Sequence, residues 1–497
     1  DVSVIENPDG AAIELMQNGD FEQGDLDAMP DHWLAVGTHG EHGRTRLVED
    51  PDSPGNKVLH LMTTGATEDK HNQLSSVYDN NERVQLGRTY RISFRAKWLS
   101  GSNQLNTRLY FNYLQRTTRL TVPDSGGTPG QRNSTFSPDI GPTLDHLTQT
   151  PVLPTADQSV DVRIRVADPD GIDTVKLTYA INGGTLFSGG THVVEMEEET
   201  GGIYTGTVPN RNVGDVIRIH VSATDAHGNL THFPRQGANA RAMYEVVADP
   251  ILEDEPHRLR VLMEKKDREY LFRDAVRMSN DRILGTVIYK DIAYHNVGIR
   301  LKGSAWARNN TPVQGLNIRF DSEKPFRGVH ETIAMERDPG KGEIMAHHLF
   351  YAAGGKLPGY YSDIVQLDFD QPSFSGRVLL LMARTSGPFL RSTFDNASEG
   401  TVYNMELLYT PNGTIGGPES AKRPFPYNHT NGRYDFRIMG PDKEAYRWGF
   451  QMRSNRDRDN YEPILRAAEA FHLEGNRLET AAETALDVDQ WARAFAM

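Results

Sequence analysis

The chain has 497 residues, of which 37% are hydrophobic and 24% are charged, a composition typical of folded, soluble proteins. This length is too great for one hydrophobic core and predicts about two to four domains. The formal net charge of −14 disfavours non-specific attraction to nucleic acids or to anionic membranes, so we expect no nucleic-acid partner. There is no cysteine, which excludes disulfides, iron–sulfur clusters, cysteine-bound zinc and a thiol nucleophile.

No apolar run reaches the roughly 20 residues of a membrane-spanning helix, so we expect no membrane span. The sequence begins at Asp1 without a signal-peptide pattern, and we interpret it as a fragment or a processed form. Its 45 glycines and 27 prolines indicate many turns, as β-rich domains require.

Residues 1–122 contain short strand patterns bounded by Gly, Asn, Asp and Pro, which predict an all-β sandwich. The first dozen residues are polar and predict a tail. An N-G-x-F-E…W opening and a later core-strand pattern resemble those of jelly-roll carbohydrate-binding modules. The residues that carry this resemblance are Asn18, Gly19, Phe21, Glu22 and Trp33, then Tyr90, Ile92, Phe94 and Ala96.

That resemblance implies a glycan ligand, bound on exposed aromatic platforms. The candidate sugar-binding residues are Trp98, Tyr110 and Tyr113, with the alternative that Trp98 and Tyr110 fill the sandwich core. Relatives of this kind often hold a structural calcium ion near the first strand, and Glu22 is the candidate Ca²⁺ ligand.

Residues 123–154 are rich in Gly, Pro, Ser and Thr and predict a linker. Residues 155–250 alternate cleanly between apolar and polar positions and resemble an immunoglobulin-like or fibronectin-like sandwich. Asp168, Asp170 and Asp225 offer oxygen ligands for an ion, although turn chemistry explains them adequately. We interpret this unit as a spacer.

Residues 251–497 have mixed periodicity and predict an α+β domain. Val297, Ile299 and Leu301 alternate with Gly298, Arg300 and Lys302, which predicts a half-buried strand, and residues 314–320 predict a second one. Arg300, Lys302 and Arg319 would then share the polar side of a hairpin, where they are suited to bind phosphate oxygens. The alternative is that they are ordinary surface cations.

Further along, the patterns predict helices over 344–353, 461–471 and 486–495, with Asp487 or Asp489 capping the last, and strands over 362–369 and 376–384. The familiar nucleotide-binding, zinc-protease and serine-hydrolase spacings are absent.

The order of these elements resembles the CotH protein-kinase-like family (spore coat protein H), which is common among exported bacterial proteins. The signature R-x-[RK]-G-x-S is matched, as are a strand end, an N-x-x-x-D-x-Y stretch and a terminal helix. The matching residues are Arg300, Lys302, Gly303 and Ser304; Arg319; Asn455, Asp459 and Tyr461; and Asp487, Asp489, Trp491 and Arg493.

This resemblance implies an atypical kinase-like domain over 251–497 that uses ATP and Mg²⁺ to phosphorylate a protein acceptor. Arg300, Lys302 and Arg319 would bind the nucleotide phosphates, and Glu406 is a nearby carboxylate that could replace a missing acid. This chain departs from the family at Ala383-Arg384, where a Glu-Lys pair is common, at Tyr403-Asn404 and at Gln314. Family metal ligands lie beyond the final helix, so we expect a C-terminally truncated, inactive kinase-like domain.

Together these features predict an exported, multidomain bacterial protein of the extracellular space or cell envelope: a jelly-roll sandwich, an Ig-like sandwich and an α+β kinase-like domain. The alternative is a non-catalytic surface protein that binds glycan or acts as a scaffold, with a degenerate kinase-like domain. A third hypothesis is a polysaccharide-degrading enzyme, whose paired carboxylates would come from distant strands.

Overall fold

The computed structural model shows a β-rich, multidomain protein with 29 strands and seven α-helices in the residues that it describes. None of the helices in these residues is long and apolar enough to cross a membrane. The described residues are 1–37, 45–62, 72–85, 87–109, 114–122, 132, 136–181, 190–250, 257–272, 282–303, 314–336, 339–352, 361–371, 374, 376–384, 387–396, 399–405, 407–411, 429–433, 436, 438–447 and 449–496.

The N-terminal unit consists of small antiparallel sheets, in which β2, β1 and β7 form one sheet and β3–β6, β4–β5 and β8–β9 form three pairs. Its strands are β1 Val2–Glu6, β2 Ile13–Glu14, β3 Trp33–Gly37, β4 Arg46–Glu49, β5 Lys57–His60, β6 Asn72–Ser76, β7 Tyr90–Phe94, β8 Gln104–Leu109 and β9 Leu114–Arg119.

The first residues form a strand, so the predicted tail was wrong. β1 pairs with β7 over its whole length, from Val2 opposite Phe94 to Glu6 opposite Tyr90. The Glu6 side chain is buried and bonded to Arg88 and to the Tyr90 hydroxyl. Neither face of this five-residue run is fully apolar, so its local signal is weak, and its partner strand lies more than 80 residues away.

The second unit is a sandwich of two antiparallel sheets, β10-β11-β15-β14 and β13-β12-β16-β17, with β18 also paired to β16. Alternate residues of β11 and β16 are almost fully buried between the sheets, which confirms the predicted alternation. The strands are β10 Thr143–Thr150, β11 Val160–Ala167, β12 Ile172–Ile181, β13 Thr191–Glu195, β14 Glu197–Glu198, β15 Ile203–Val208, β16 Val216–Asp225, β17 Leu230–Phe233 and β18 Ala242–Glu245.

The sandwich begins earlier than the sequence indicated. β10 lies within the stretch 123–154 that we interpreted as a linker, and it pairs with β11. Its Leu144 and Leu147 belong to the sandwich core. The turn-rich composition around it concealed a strand whose register is interrupted by a bulge between Asp145 and Thr148.

The third unit is a closed barrel in the order β19-β20-β21-β22-β23-β25-β24, and the parallel pairing of β24 with β19 completes it. The hairpin β21–β22 and the pair β24–β25 confirm the predicted strands, whereas closure of the barrel was not predicted. Its elements are β19 Arg258–Leu262, α1 Lys265–Leu271, β20 Ile283–Tyr289, β21 Ile292–Lys302, β22 Gly315–Arg319, β23 Thr332–Met335, α2 Lys341–Ala352, β24 Ser362–Phe369 and β25 Arg377–Ala383.

The remaining residues add two strand pairs, β26–β29 and β27–β28, and five helices. The carboxylate of Asp487 accepts the amide of Gln490 at 3.1 Å, which confirms the predicted N-cap of the last helix. The elements are α3 Gly387–Thr393, β26 Tyr403–Met405, β27 Leu407–Pro411, β28 His429–Arg433, α4 Glu444–Arg447, β29 Phe450–Met452, α5 Glu462–Ala470, α6 Asn476–Ala485 and α7 Val488–Ala496.

The sandwich and the barrel share a buried interface. Apolar side chains from both units form one cluster, and a charged group lies beside it. There the Arg241 guanidinium contacts Asp267 at 2.6 Å and Glu264 at 3.2 Å, and Arg218 contacts Glu264 at 2.7 Å. The apolar cluster consists of Leu153, Met243, Val247, Leu262, Ile288 and Ala293.

Candidate functional site

The outer surface of the barrel at β21 carries the predicted cations. Val297, Ile299 and Leu301 are at most 2% exposed and point into the barrel core. Their neighbours Arg300 and Lys302 therefore lie on the opposite, outer face of the strand, because successive residues of a strand alternate between faces. The alternation thus separates an apolar inner face from a basic outer one.

The register of the hairpin brings the third cation to the same face. Arg319 of β22 lies opposite Gly298, and Lys302 lies opposite Gly315. Directly opposite residues of an antiparallel pair share a face, so Arg300, Lys302 and Arg319 occupy one surface, as predicted.

Arg282 is a fourth cation on this face, and no sequence pattern indicated it. It precedes β20, and its guanidinium donates to the Gly298 carbonyl at 3.1 Å and to the Asn317 side-chain oxygen at 2.8 Å. A Cβ on Gly298 would lie 2.9 Å from the Cβ and Cδ atoms of Arg282. Glycine is needed here because the arginine stem crosses directly over it.

Gly315 likewise leaves room for the Lys302 side chain to lie over it. A Cβ on Gly315 would lie 2.4 Å from the Met335 carbonyl oxygen and 3.3 Å from the Lys302 Cβ. The lysine side chain is 26% exposed and forms an ion pair with Glu336. The two glycines thus allow two long cationic side chains to lie close to the sheet surface.

Arg384, which follows β25, acts electrostatically on two of these cations. Burial lowers the pKa of Lys302 to about 8; Glu343 raises this value, while Arg300 and Arg384 lower it further. Burial, Arg384 and Arg319 lower the pKa of Arg282 to about 10. We call the five cations Arg282, Arg300, Lys302, Arg319 and Arg384 the basic face.

The basic face is suited to bind an anion. Holding like charges together on a half-buried surface disfavours their charged forms, and a bound anion would remove that penalty. Four of the five side chains are guanidinium groups, which bind phosphate or carboxylate oxygens in a bidentate manner. Ordinary surface lysines do not have a pKa depressed by burial, so Lys302 does not fit the alternative of a purely solvated surface.

The N-x-x-x-D-x-Y stretch has a structural role. The Asp459 carboxylate is buried and contacts the Arg447 guanidinium at 2.5 Å and the Lys443 ammonium at 2.7 Å. Burial opposes ionisation, but these hydrogen bonds hold the pKa of Asp459 below its usual value. Tyr461 is buried in the adjacent core, and Asn455 donates to the Gly400 carbonyl at 2.8 Å. Asp459 thus stabilises this unit through its ion pairs with Arg447 and Lys443.

The structure describes only some of the other residues that the sequence predicted to bind nucleotide or sugar. Glu406, Tyr110 and Tyr113 lie outside the described residues. Trp98 is half-buried, and its indole N–H donates to the Gly101 carbonyl of its own loop at 3.1 Å. Ile92, at the centre of the predicted core strand, is 39% exposed, so its assignment to the core was wrong.

The N-G-x-F-E…W residues do come together. The Asn18 side chain donates to the carbonyls of Gln23 and Asp31, and the Trp33 indole donates to the Asn18 carbonyl. The Phe21 and Trp33 rings lie 5.2 Å apart. The motif is therefore the organising centre of this loop.

The sequence suggested a calcium ion beside Glu22, but the structure places Lys57 there. The Glu22 carboxylate accepts the Lys57 amide at 3.0 Å, and the Lys57 ammonium contacts the carbonyls of Glu22 and Gly24 at 3.1 and 2.8 Å. The positively charged Lys57 ammonium thus contacts the carbonyl oxygens of Glu22 and Gly24. Within the described residues, Glu22 belongs to no group of three carboxylate or imidazole side chains close enough to share an ion.

No family model matches the chain, and no curated protein matches it significantly. Among solved structures, the chain is similar to Spo0M, the sporulation control protein from Bacillus subtilis, with 10% identity, covering 39% of this chain and 74% of that one. The TM-score of 0.14 is too low to indicate a common fold.

Proposed function

We propose that the third unit binds a phosphorylated ligand, such as the triphosphate of ATP, through the basic face, and that it does so without transferring a phosphoryl group. The observation that carries this proposal is the shared outer face of Arg300, Lys302 and Arg319, to which Arg282 is hydrogen-bonded and on whose cations Arg384 acts electrostatically. Because the whole chain has a net charge of −14, such a local excess of positive charge stands out against the rest of the molecule.

The resemblance of Arg300, Lys302 and Gly303 to the CotH signature supports a nucleotide as the ligand. Arg384 supports it as well, since it places a cation where the family commonly has the lysine of a Glu-Lys pair. The glutamate of that pair is replaced by Ala383, which removes a carboxylate from the same neighbourhood.

Binding without transfer is the simpler function for this set of residues. Phosphoryl transfer requires carboxylates that hold Mg²⁺ against the phosphates. In the part of the chain that the structure describes, no group of three carboxylate or imidazole ligands lies at the basic face. Asp459, the acid of the family-like stretch, is occupied by Arg447 and Lys443.

The two N-terminal units fit an exported binding protein. We infer that the first is a jelly-roll-like module, organised by Asn18 and Trp33, and that the second is an Ig-like spacer. In this view the protein belongs to the cell envelope or the extracellular space, and its barrel presents the anion site outward.

Isothermal titration calorimetry at low ionic strength tests the proposal, with ATP, pyrophosphate, AMP and sulfate as ligands. We expect affinity to increase with the number of phosphates and to fall steeply with added salt. Arg300→Ala should weaken ATP binding about 10- to 100-fold, because a hydrogen bond to a charged group contributes about 1.5–3 kcal/mol. Arg377→Ala, which removes an exposed arginine at the start of β25, is the matched control and should leave binding unchanged.

Two results would overturn the proposal. Equal affinity of the Arg300→Ala and Arg377→Ala variants for ATP would show that the basic face is not the site. Mg²⁺-dependent ATP turnover that is abolished by Arg300→Ala would show that the unit is a catalyst rather than a binding domain.

A further inference from the structure

A second cluster of potential ligands lies at one end of the sandwich, away from the barrel. Three chain segments meet there: the segment that leads into β10, the turn between β11 and β12, and the turn between β16 and β17. They contribute Asp139, Asp170 and His227, and one ligand atom of each lies within 4.8 Å of the other two.

The spacing of these atoms fits a first-row metal ion. The His227 Nδ1 atom is 3.1 Å from an Asp139 oxygen and 3.7 Å from an Asp170 oxygen. Ligands at about 2.1 Å from an ion are about 3.0 Å apart in an octahedron and about 3.4 Å apart in a tetrahedron. Small side-chain rotations are therefore enough to surround an ion.

The turn that carries His227 is held by a buried carboxylate behind it. One oxygen of Asp225 accepts the amides of His227 at 2.9 Å and Asn229 at 2.8 Å, and the other accepts the Asn229 side chain at 2.8 Å. The same Asn229 amide group donates to Asp139 at 2.8 Å. The backbone of the His227 turn and the Asp139 carboxylate are thus held in place before any ion binds, as in metal sites whose ligands are oriented by outer hydrogen bonds.

Asp139 also has an unsatisfied atom. Its second carboxylate oxygen, Oδ1, is inaccessible to solvent and has no hydrogen-bond partner in the described structure. Leaving a charged oxygen buried without a partner is unfavourable, and a cation that binds both oxygens of the Asp139 carboxylate would relieve it.

We propose that Asp139, Asp170 and His227 bind one divalent transition-metal ion, such as Zn²⁺ or Mn²⁺. One imidazole nitrogen with two carboxylates is a donor set for these ions, whereas Ca²⁺ and Mg²⁺ prefer oxygen ligands alone. The ion joins the entry segment of the sandwich to two of its turns, so it stabilises the start of this unit. Of the three aspartates noticed in the sequence, Asp170 is a ligand. Asp225 is occupied by the amides of His227 and Asn229, and Asp168 accepts the Asp170 amide at 2.8 Å and lies outside the cluster.

Calorimetric titration of the full chain with ZnCl₂ and MnCl₂ tests this site. We expect one specific site, lost in Asp170→Asn and weakened more than about tenfold in His227→Asn. The matched control is His146→Asn, since His146 also contacts a carboxylate, Asp145, at 2.6 Å but has no third ligand in the described residues. The chain has 17 histidines, so this control separates the site from weak surface binding.

A thermal-unfolding series gives an independent readout, because an ion that binds only the folded state raises the melting temperature. Zn²⁺ or Mn²⁺ should raise it in the parent chain and in His146→Asn but not in Asp170→Asn. Unchanged Zn²⁺ binding in Asp170→Asn and His227→Asn, or a larger effect of Ca²⁺ than of Zn²⁺ and Mn²⁺, would overturn the proposal. No binding by the parent chain would reduce the cluster to a histidine–aspartate hydrogen bond.

Discussion

Loss of Arg241 should weaken the interface between the sandwich and the barrel. Its side chain is 8% exposed and contacts Asp267 and Glu264, which lie in α1 and just before it. Its guanidinium also donates to the Asn239 carbonyl at 2.7 Å. Arg241→Met keeps the apolar stem but removes this partner of Asp267, while Glu264 keeps its contacts with Arg218 and with the Lys266 ammonium at 3.1 Å.

The expected loss of stability follows from this geometry. Removing one partner of a buried ion pair costs about 3–5 kcal/mol, because the other charge remains buried. Arg218 still contacts Glu264, so we expect the lower end, about 3 kcal/mol. For a cooperative unit of this size, that corresponds to a fall in melting temperature of about 6–12 °C.

Differential scanning calorimetry measures this effect and also shows whether the two units unfold together. The matched control is Arg163→Met, because Arg163 pairs with Glu199 on the outside of the sandwich, where both side chains are about half exposed. An exposed pair contributes at most about 1 kcal/mol. If Arg241→Met lowers the melting temperature no more than Arg163→Met, the interface is not held by this arginine.

Three further predictions follow from the charged groups. Burial lowers the pKa of Lys302 to about 8 even though Glu336 pairs with its ammonium group, so the charge of Lys302 is lost as the pH rises through 8. Sulfate affinity measured by calorimetry should therefore fall between pH 7 and 9, and Lys302→Arg should remove this dependence. Asp459→Asn should destabilise the C-terminal unit by about 3 kcal/mol in urea unfolding, whereas Asp457→Asn, an exposed neighbour, should have little effect. Burial lowers the pKa of His220 to about 4 and that of His295 to about 3, so both stay neutral when folded while the unfolded chain takes up protons below about pH 6.5. Stability should therefore fall as the pH drops from 6.5 to 4, by up to about 1 kcal/mol per pH unit for each histidine, and His220→Gln should reduce that slope.

Local sequence patterns predicted the strands and helices correctly wherever one face of the element is buried. The alternation of Val297, Ile299 and Leu301 identified β21 and the side on which its cations lie. The same reasoning identified the sandwich strand β11 and the cap at Asp487. These features depend on residues within one strand or one helical turn, so their signal is present in a short window of sequence.

Features that depend on distant partners were missed. β1 could not be recognised without β7, and closure of the barrel depends on the pairs β23–β25 and β24–β19. Arg384 stood out in the sequence only as a departure from a family pattern, although its charge acts on both Arg282 and Lys302.

The sequence by itself determined the β-rich composition, the alternating strands and the presence of three cations on one side of a hairpin. Only the tertiary structure decided which charges act together. Arg282 and Arg384 act with the cations of the hairpin, and Asp459 forms an ion pair with Arg447. Asp139 contacts His227, which is 88 residues further along the chain. The physical reason is that electrostatic and metal-ligand interactions depend on distance in space, and contacts between segments far apart in the chain leave no periodic trace in the sequence.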